Sequence, residues 1–278
     1  MARHNTPPER RARQQARIAE ARERASRSPS ERRTDAIWIY GLHPVLAALA
    51  NPQRSVLRLL ATPNALSRLT EAGAKLPVAP EEVAPRDLDR LIGGDAVHQG
   101  VAIETKPLAP PGLEALANAR LVVVLDQITD PHNVGAILRS AVAFAADAVV
   151  ATGRHTAAET GALAKAASGA LDRIAWIEVQ NLARALEEIG AMGFKRVGLD
   201  SEGESEIEDA FGGQRIALVL GAEGKGLRRL TRDTCDVVAR LSVPGAIASL
   251  NVSNAAALAL YLASRHLTPS SANAKRNP

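Results

Sequence analysis

Residues 121–139 read Leu121-Val-Val-Val-Leu-Asp-Gln-Ile-Thr-Asp-Pro-His-Asn-Val-Gly-Ala-Ile-Leu-Arg139, and this stretch decides the fold prediction. Its first five residues are a continuous apolar run, which is typical of a strand buried on both faces of a parallel sheet. A polar turn follows, and then an apolar segment with helical spacing. The stretch therefore predicts one strand–turn–helix unit of an α/β domain.

The same alternation continues through the second half of the chain. Apolar runs predict further strands at 148–151, 175–179, 196–199, 216–220 and 237–241. Helices are predicted between them at 133–145, 160–168, 181–192, 226–234 and 252–266. Alternating strands and helices over this length predict an α/β domain with a parallel sheet and right-handed crossovers, spanning residues 120–268.

The first half of the chain predicts a smaller α/β domain over residues 36–106. Its strands are predicted at 37–40, 56–61 and 101–104, and its helices at 44–50, 65–72 and 86–92. A Pro-rich segment, 107–119, has the composition of a linker. Residues 1–35 lack a core pattern and are expected to be a disordered basic arm, and residues 269–278 a flexible tail.

Composition excludes several classes of protein. No apolar run has the length of a membrane span, and the start is too charged for a secretory signal peptide. Cys235 is the single cysteine, which excludes an internal disulfide framework and a cysteine-based zinc site. The histidines show no paired metal-ligand spacing. We therefore expect a cytoplasmic protein with no membrane association and no metal.

The basic charge is concentrated at the ends of the chain. Residues 1–35 hold ten Arg against five acidic residues, whereas the whole chain has a net charge of only +4. Such an arm attracts polyanions without sequence preference, although a solvated leader that only aids solubility would have the same composition. The chain has few aromatic residues, which argues against an aromatic stacking platform for single-stranded RNA.

Polar side chains follow the predicted strand 121–125. Asn133 can cap the next helix, and Gly135 and Arg139 share one face of it. A guanidinium beside a residue without a side chain can bind a phosphate or another anion. Because the helix is otherwise almost wholly apolar, we expect Arg139 to have few solvent-facing directions and favour a functional role for it.

A glycine-rich turn follows the predicted strand 216–220. Leu220 ends the apolar run, and Gly221-Ala-Glu-Gly-Lys-Gly226 comes next, with Glu223 as its only acid. The spacing fits neither the P-loop nor the dinucleotide-binding fingerprint. Such a turn exposes backbone amides to a ligand.

A third polar segment, Ser249-Leu-Asn-Val-Ser253, precedes the last predicted helix. Ser249, Asn251 and Ser253 can project into one pocket while Leu250 packs, although a single Ser or Asn there is also a good helix cap. Ligands bind at the carboxyl ends of strands in open α/β sheets. We therefore interpret the three segments as parts of one composite site.

In this order, the three segments resemble the motifs of the SpoU (TrmH-like) family of RNA ribose 2′-O-methyltransferases. The resemblance covers residues 120–268. In the first half, Tyr40-Gly-Leu-His43 and His98-Gln-Gly100 resemble the N-terminal RNA-binding domain of bacterial 23S rRNA guanosine 2′-O-methyltransferases, which is of the ribosomal-protein L30e-like type.

The resemblance implies a fold, a cofactor and site roles. It implies S-adenosylmethionine as methyl donor, a C-terminal trefoil knot and a homodimer, with guanosine in 23S rRNA as substrate. The implied catalytic residues are Asn133, Arg139, Glu223, Ser249 and Asn251. The implied cofactor-binding residues are Leu220, Gly221, Gly226, Leu241 and Leu250.

One departure and three alternatives accompany the resemblance. Family members usually have Ile-Pro where this chain has Leu241-Ser242, which leaves the backbone path toward Ala246 open. The alternatives are a tRNA methyltransferase, a resistance-type rRNA methyltransferase and a non-catalytic RNA-binding assembly factor.

Overall fold

The computed structural model describes residues 36–94, 96–153, 161–245 and 250–268, with the side chains of 161 and 162 left aside. The predicted arm 1–35 and tail 269–278 lie outside the described residues. No helix in the described ranges combines the length and apolarity needed to cross a membrane. The same ranges hold no group of three or more His, Cys, Asp or Glu side chains placed to bind a metal ion.

The first unit is a small mixed sheet with helices on both faces. Its described strands are β1 (Ile37–Tyr40), β2 (Val56–Ala61), β3 (Pro80–Glu82) and β4 (Val101–Thr105), and its helices are α1 (Leu42–Ala50), α2 (Pro63–Glu71) and α3 (Pro85–Ile92). The strand order is β1-β4-β2-β3, with β2 and β3 parallel and the other pairs antiparallel. The three predicted strands are confirmed. β3 was not predicted, because its three exposed residues carry no apolar pattern.

The second unit is a parallel sheet of seven described strands. They are β5 (Leu121–Asp126), β6 (Ala148–Thr152), β7 (Ala175–Val179), β8 (Lys195–Leu199), β9 (Ser205–Glu206), β10 (Ile216–Gly221) and β11 (Val237–Arg240). The described helices are α4 (Pro131–Ala143), α5 (Gly161–Ala167), α6 (Leu182–Ala191), α7 (Ile207–Ala210), α8 (Arg229–Thr234) and α9 (Val252–Leu267). The strand order is β7-β6-β5-β10-β8-β11-β9. The predicted parallel α/β fold is confirmed.

Both faces of the central strands are buried, which explains their continuous apolar sequence. Alternate residues of β5 and β10, such as Leu125 and Leu220, belong to the core that includes α4 and α9. The residues between them, such as Val124 and Val219, face a second core that includes α6. Burying each such side chain contributes about 1.5–3 kcal/mol to folding.

The strand order reverses between β5 and β10. From β5 the chain builds outward through β6 and β7 on one side, and the later strands lie on the other side. A crevice at the carboxyl ends of the strands is expected at such a reversal, and this is where open α/β sheets bind ligands. The loops after β5 and β10 both open into this region.

The segment 107–119, predicted as a linker, carries structure in its second half. Leu113–Leu116 form a 3-10 helix, and Leu116 is fully buried. The Arg215 guanidinium donates to the carbonyl oxygens of Ala119 at 2.9 Å and Met192 at 2.6 Å, and also to that of Leu116. This guanidinium therefore fastens the end of the segment to the second unit.

Candidate active site

Side chains from all three predicted segments meet at the carboxyl ends of β5 and β10. Asn251 Nδ2 donates to Asn133 Oδ1 at 3.1 Å and lies 3.4 Å from Glu223 Oε2. These residues are 118 and 28 positions apart in sequence from Asn251. The expected single composite site is therefore present as a hydrogen-bonded group of Asn133, Glu223 and Asn251.

Asn251 is held in place by its second amide atom. Its Oδ1 accepts hydrogen bonds from Ser253 N at 2.9 Å and Ser253 Oγ at 2.6 Å, which makes it the N-cap of α9. The Ser253 hydroxyl takes part in this cap, and its predicted projection into a pocket stays a prediction. Ser249 lies outside the described residues.

Asn133 does not cap α4, contrary to the prediction. Asp130 is the N-cap and accepts from His132 N at 3.0 Å, with Pro131 as the first helical residue. A proline fits there because the first amide of a helix needs no partner. Asn133 therefore lies in the first turn, where its side-chain oxygen is available to Asn251.

We had predicted that Gly135 leaves room for a ligand, but in the structure it serves helix packing instead. A Cβ atom added at Gly135 would overlap Ala166 Cβ and would lie 2.8 Å from Ala167 N. The missing side chain thus allows α4 and α5 to approach closely. The sequence could not show this, because a helical pattern does not identify the neighbouring helix.

Arg139 is exposed, so the expectation of few solvent-facing directions is wrong for the single chain. It shares an exposed strip of α4 with His132 and Ala143. No hydrogen bond or ion pair joins Arg139 to any residue that the structure describes. Its guanidinium is therefore available to an anionic ligand.

The glycine-rich turn folds back on the end of β10. A Cβ atom added at Gly221 would overlap the carbonyl group of Gly226, and Gly226 N donates to Ala222 O at 2.9 Å. Gly226 has a φ of +62°, and a Cβ there would lie 2.6 Å from Asp200 Oδ2. The turn is closed by backbone contacts, which leaves Glu223 to reach Asn251.

An ion pair that we did not predict stabilises the glycine-rich turn 221–226. Asp126 is 1% exposed, and its carboxylate accepts from Arg228 Nε at 2.6 Å and Arg228 N at 2.9 Å. The bonds join the end of β5 to the N-cap residue of α8. A charged residue ending a wholly apolar run was the signal in the sequence, since a buried carboxylate requires a partner.

The predicted cofactor-binding leucines differ in exposure. Leu220 is buried, Leu241 packs partly against the core, and Leu250 is 36% exposed.

The structure describes the backbone after Leu241 as far as Gly245. Ser242, the residue after Leu241, donates from Oγ to Glu206 Oε2 at 2.8 Å. This bond lowers the pKa of Glu206, with the nearby Arg240 acting in the same direction.

Comparison with known protein families identifies both units. Residues 120–261 match the SpoU rRNA Methylase family, and residues 38–111 match the family described as RNA 2'-O ribose methyltransferase substrate binding. The chain belongs to the SpoU rRNA methylase family. The predicted family is thereby confirmed, and the site described above lies within the methylase part of the chain.

Similar proteins match most of this SpoU chain. A Ralstonia nicotianae protein named 23S rRNA (guanosine-2'-O-)-methyltransferase RlmB is 37% identical over 82% of this chain and 94% of its own. The Pseudomonas putida protein of that name is 38% identical over 82% and 95%. The crystal structure of AviRb from Streptomyces viridochromogenes with AdoMet, 24% identical, has a TM-score of 0.73 over 90% of this chain and 97% of its own, and shares the fold.

Proposed function

We propose that this SpoU chain transfers a methyl group from S-adenosylmethionine to the ribose 2′-hydroxyl of a guanosine in 23S rRNA, in the cytoplasm. The convergence of Asn133, Glu223 and Asn251 at the strand-order reversal carries the proposal. The names of relatives at 37–38% identity support the substrate. An assembly factor without catalysis is disfavoured, because these three side chains are retained and in contact.

The end of β10 fits the proposed cofactor. Within the Gly221–Gly226 turn, Gly224 has a φ of +76° and open space beside it, so its backbone groups are accessible to a ligand. The partly buried Leu241 and the exposed Leu250 supply apolar surface for the non-polar parts of the cofactor, whereas Leu220 is buried and would contribute through its backbone at the end of β10. When bound, S-adenosylmethionine supplies the electrophilic methyl group. We assign the binding role to these five positions: Leu220, Gly221, Gly226, Leu241 and Leu250.

The protein contributes positioning and charge in this proposal. Asn251, fixed by its cap bonds, orients Asn133 and Glu223 around the acceptor ribose. We assign Ser249, two residues earlier in the sequence, a role in the same reaction. Arg139 binds the adjoining phosphate and stabilises negative charge that develops on the 2′-oxygen. Alignment of the reactants alone can remove about 7–11 kcal/mol of the barrier.

Arg139 acts as an electrostatic group in this mechanism, because a guanidinium stays protonated in proteins. Single-turnover methylation of Arg139→Lys should be slower than wild type, with no new inflection in its pH–rate profile. A rescued rate with a base-like inflection at lower pH would show that the residue accepts the proton.

The larger architecture follows the family in our proposal. Residues 36–106 form an L30e-like substrate-binding domain, and residues 120–268 form the catalytic domain. A trefoil knot is supported by the strand order: β11 is separated from β10 by β8, yet α9 packs on α4 and β10. Asn251, directly before α9, contacts Glu223 of the turn that follows β10.

A homodimer is supported by an exposed apolar strip on α9. Leu258 is 48% and Tyr261 45% exposed, and the Tyr261 ring packs edge-on against Phe144 with centroids 5.9 Å apart. Adjacent exposed apolar residues of this size commonly mark protein interfaces. Since α9 packs beside α4, a second subunit seated here would approach the helix that carries Arg139.

Purified protein tests the proposed reaction directly. It is incubated with S-adenosylmethionine and separate in vitro transcripts of 23S rRNA, 16S rRNA and tRNA, and the nucleosides are analysed by mass spectrometry. We expect 2′-O-methylguanosine in 23S rRNA alone. Methylation of tRNA alone, or of another nucleoside, would contradict the proposed substrate, and no methylation of any transcript would contradict the reaction.

A further inference from the structure

Two sequence motifs of the first unit, 40–43 and 98–100, lie beside Lys165 of the second unit. In the first motif, Leu42 N donates to Gln99 Oε1 at 3.0 Å, and Gln99 belongs to the second motif. The same oxygen lies 3.4 Å from Lys165 Nζ on α5. The motifs 40–43 and 98–100 thus converge on Lys165 where the two units pack together.

The backbone around Gly41 leaves room for the ammonium group of Lys165. Gly41 has a φ of +91°, and a Cβ atom there would lie 2.6 Å from Lys165 Nζ. Gln99 has a φ of +54°, a conformation that is costly for a residue with a side chain and often marks functional sites. His98 holds this loop, accepting from Gly100 N at 3.0 Å and bonding Asp89 Oδ1 at 3.1 Å.

Lys165 lacks an anionic partner among the described residues. Its side-chain ammonium contacts the neutral amide of Gln99, and no described carboxylate lies within ion-pair distance. Asp172, the acid at this boundary between the units, already pairs with Arg54 at 2.9 Å and Asn51 at 3.0 Å. Partial burial lowers the pKa of Lys165. A half-buried cation beside a neutral amide is a favourable place for an anion to bind.

The position of Lys165 connects it with the candidate active site. The next residue, Ala166, packs against Gly135 of α4. On that helix, Arg139 lies one turn after Gly135, and Asn133 lies two residues before it. An RNA strand that extends from the first unit to the acceptor site would therefore pass this lysine.

We propose that Lys165, together with Gly41 and Gln99, forms a binding site for a backbone phosphate of the RNA substrate between the two units. This inference rests on the proposed function and adds a contact outside the methyl-transfer group. The site carries no base readout, because an ammonium that binds phosphate does not distinguish sequence. It fixes the register of the strand that enters the active site.

Salt-dependent RNA binding tests the proposal. Binding of the unmethylated 23S rRNA transcript is measured over a range of KCl concentrations for wild type, Lys165→Gln and Gln99→Glu. Loss of one charge-assisted phosphate contact weakens binding by about tenfold. It also lowers the slope of log affinity against log salt by about one. We expect both effects in Lys165→Gln and in Gln99→Glu, whose carboxylate would compete with the phosphate for Lys165.

Lys75→Gln is the matched control, since it removes the same charge from an exposed position of the first unit. It should change affinity by less than about twofold. If Lys165 only joined the units, Gln99→Glu would strengthen that contact and leave RNA binding and slope unchanged, which would overturn the proposal. Wild-type methylation of the transcript is scored in parallel. If the wild-type protein does not methylate the transcript but the variants show altered salt slopes of RNA binding, the proposed function would be contradicted and the phosphate site would still be supported.

Discussion

At the scale of single residues, Asn251 connects the fold to the site. One of its amide atoms caps α9, and the other contacts Asn133 and Glu223. The cap therefore determines the orientation of the group that we propose to position the acceptor ribose. Substitutions at Asn251 are expected to affect methyl transfer far more than folding.

Asn251→Ala should lower the methylation rate by about a hundredfold, because small misplacements of reacting groups cost this much. Loss of the cap should lower the free energy of unfolding by only about 1 kcal/mol. Single-turnover rates and urea unfolding measure the two effects. Asn254→Ala, an exposed position in the same helical turn, should leave both near wild type. A wild-type rate for Asn251→Ala would exclude the positioning role.

Gly135 is a residue whose importance lies in packing. Gly135→Ala should lower the free energy of unfolding by about 1–3 kcal/mol, because the new methyl group overlaps Ala166. Adding Ala166→Gly should recover part of the loss. Gly212→Ala, which meets open space, should cause none. Equal stability of Gly135→Ala and wild type would show that the two helices can separate without cost.

At the scale of helices and strands, the sequence predicted what depends on burial alone. The strands around residues 121–126 and 216–221 were placed to within one residue, because both of their faces are buried. β9 was missed because it has two residues, and α7 because it has four. The cap at Asp130 depends on which polar side chain bonds the free amides at the start of the helix. The packing of Gly135 depends on which helix lies against it. The spacing of apolar residues in the sequence contains neither kind of information.

Cys235 gives a pH-dependent prediction at the end of α8. Burial raises the pKa of its thiol to about 12, and Sγ lies 3.3 Å from Thr231 O. A folded pKa above the ordinary value of 9.0 favours the neutral thiol. The associated stability is therefore present below pH 9 and is lost progressively as the pH rises toward 12.

The free energy of unfolding, measured from pH 8 to pH 11, should fall more steeply for wild type than for Cys235→Ala. Above pH 9 the difference in slope should approach about 1.4 kcal/mol per pH unit. Both proteins should be compared with their own values at pH 8, since the substitution also removes packing. Parallel curves would indicate that the thiolate forms in the folded protein without penalty.

At the scale of the whole molecule, the two units share a core and a buried ion pair. Arg54 and Asp172 are joined at 2.9 Å with side-chain exposures of 0% and 2%. The pair connects the chain after α1 to the 3-10 helix Ala170–Asp172. Such a contact sets the orientation of the first unit relative to the candidate active site, and with it the path available to the RNA.

Asp172→Ala should lower the free energy of unfolding by about 3–5 kcal/mol, because a buried guanidinium would lose its carboxylate. Glu188→Ala removes an exposed pair with Arg184 and should change stability by less than about 1 kcal/mol. Both are measured by chemical denaturation with probes in each unit. A loss of similar size in the two variants would mean that the boundary between the units contributes little to stability.

We propose that Asn133, Glu223 and Asn251 form the methyl-transfer site of a 23S rRNA enzyme. Ribose methylation can be mapped across all rRNA and tRNA in a strain that lacks the gene. We predict loss of one 23S guanosine mark, restored by the wild-type gene and not by Asn251→Ala at equal protein level. Loss of a tRNA mark, or full restoration by Asn251→Ala, would contradict the claim.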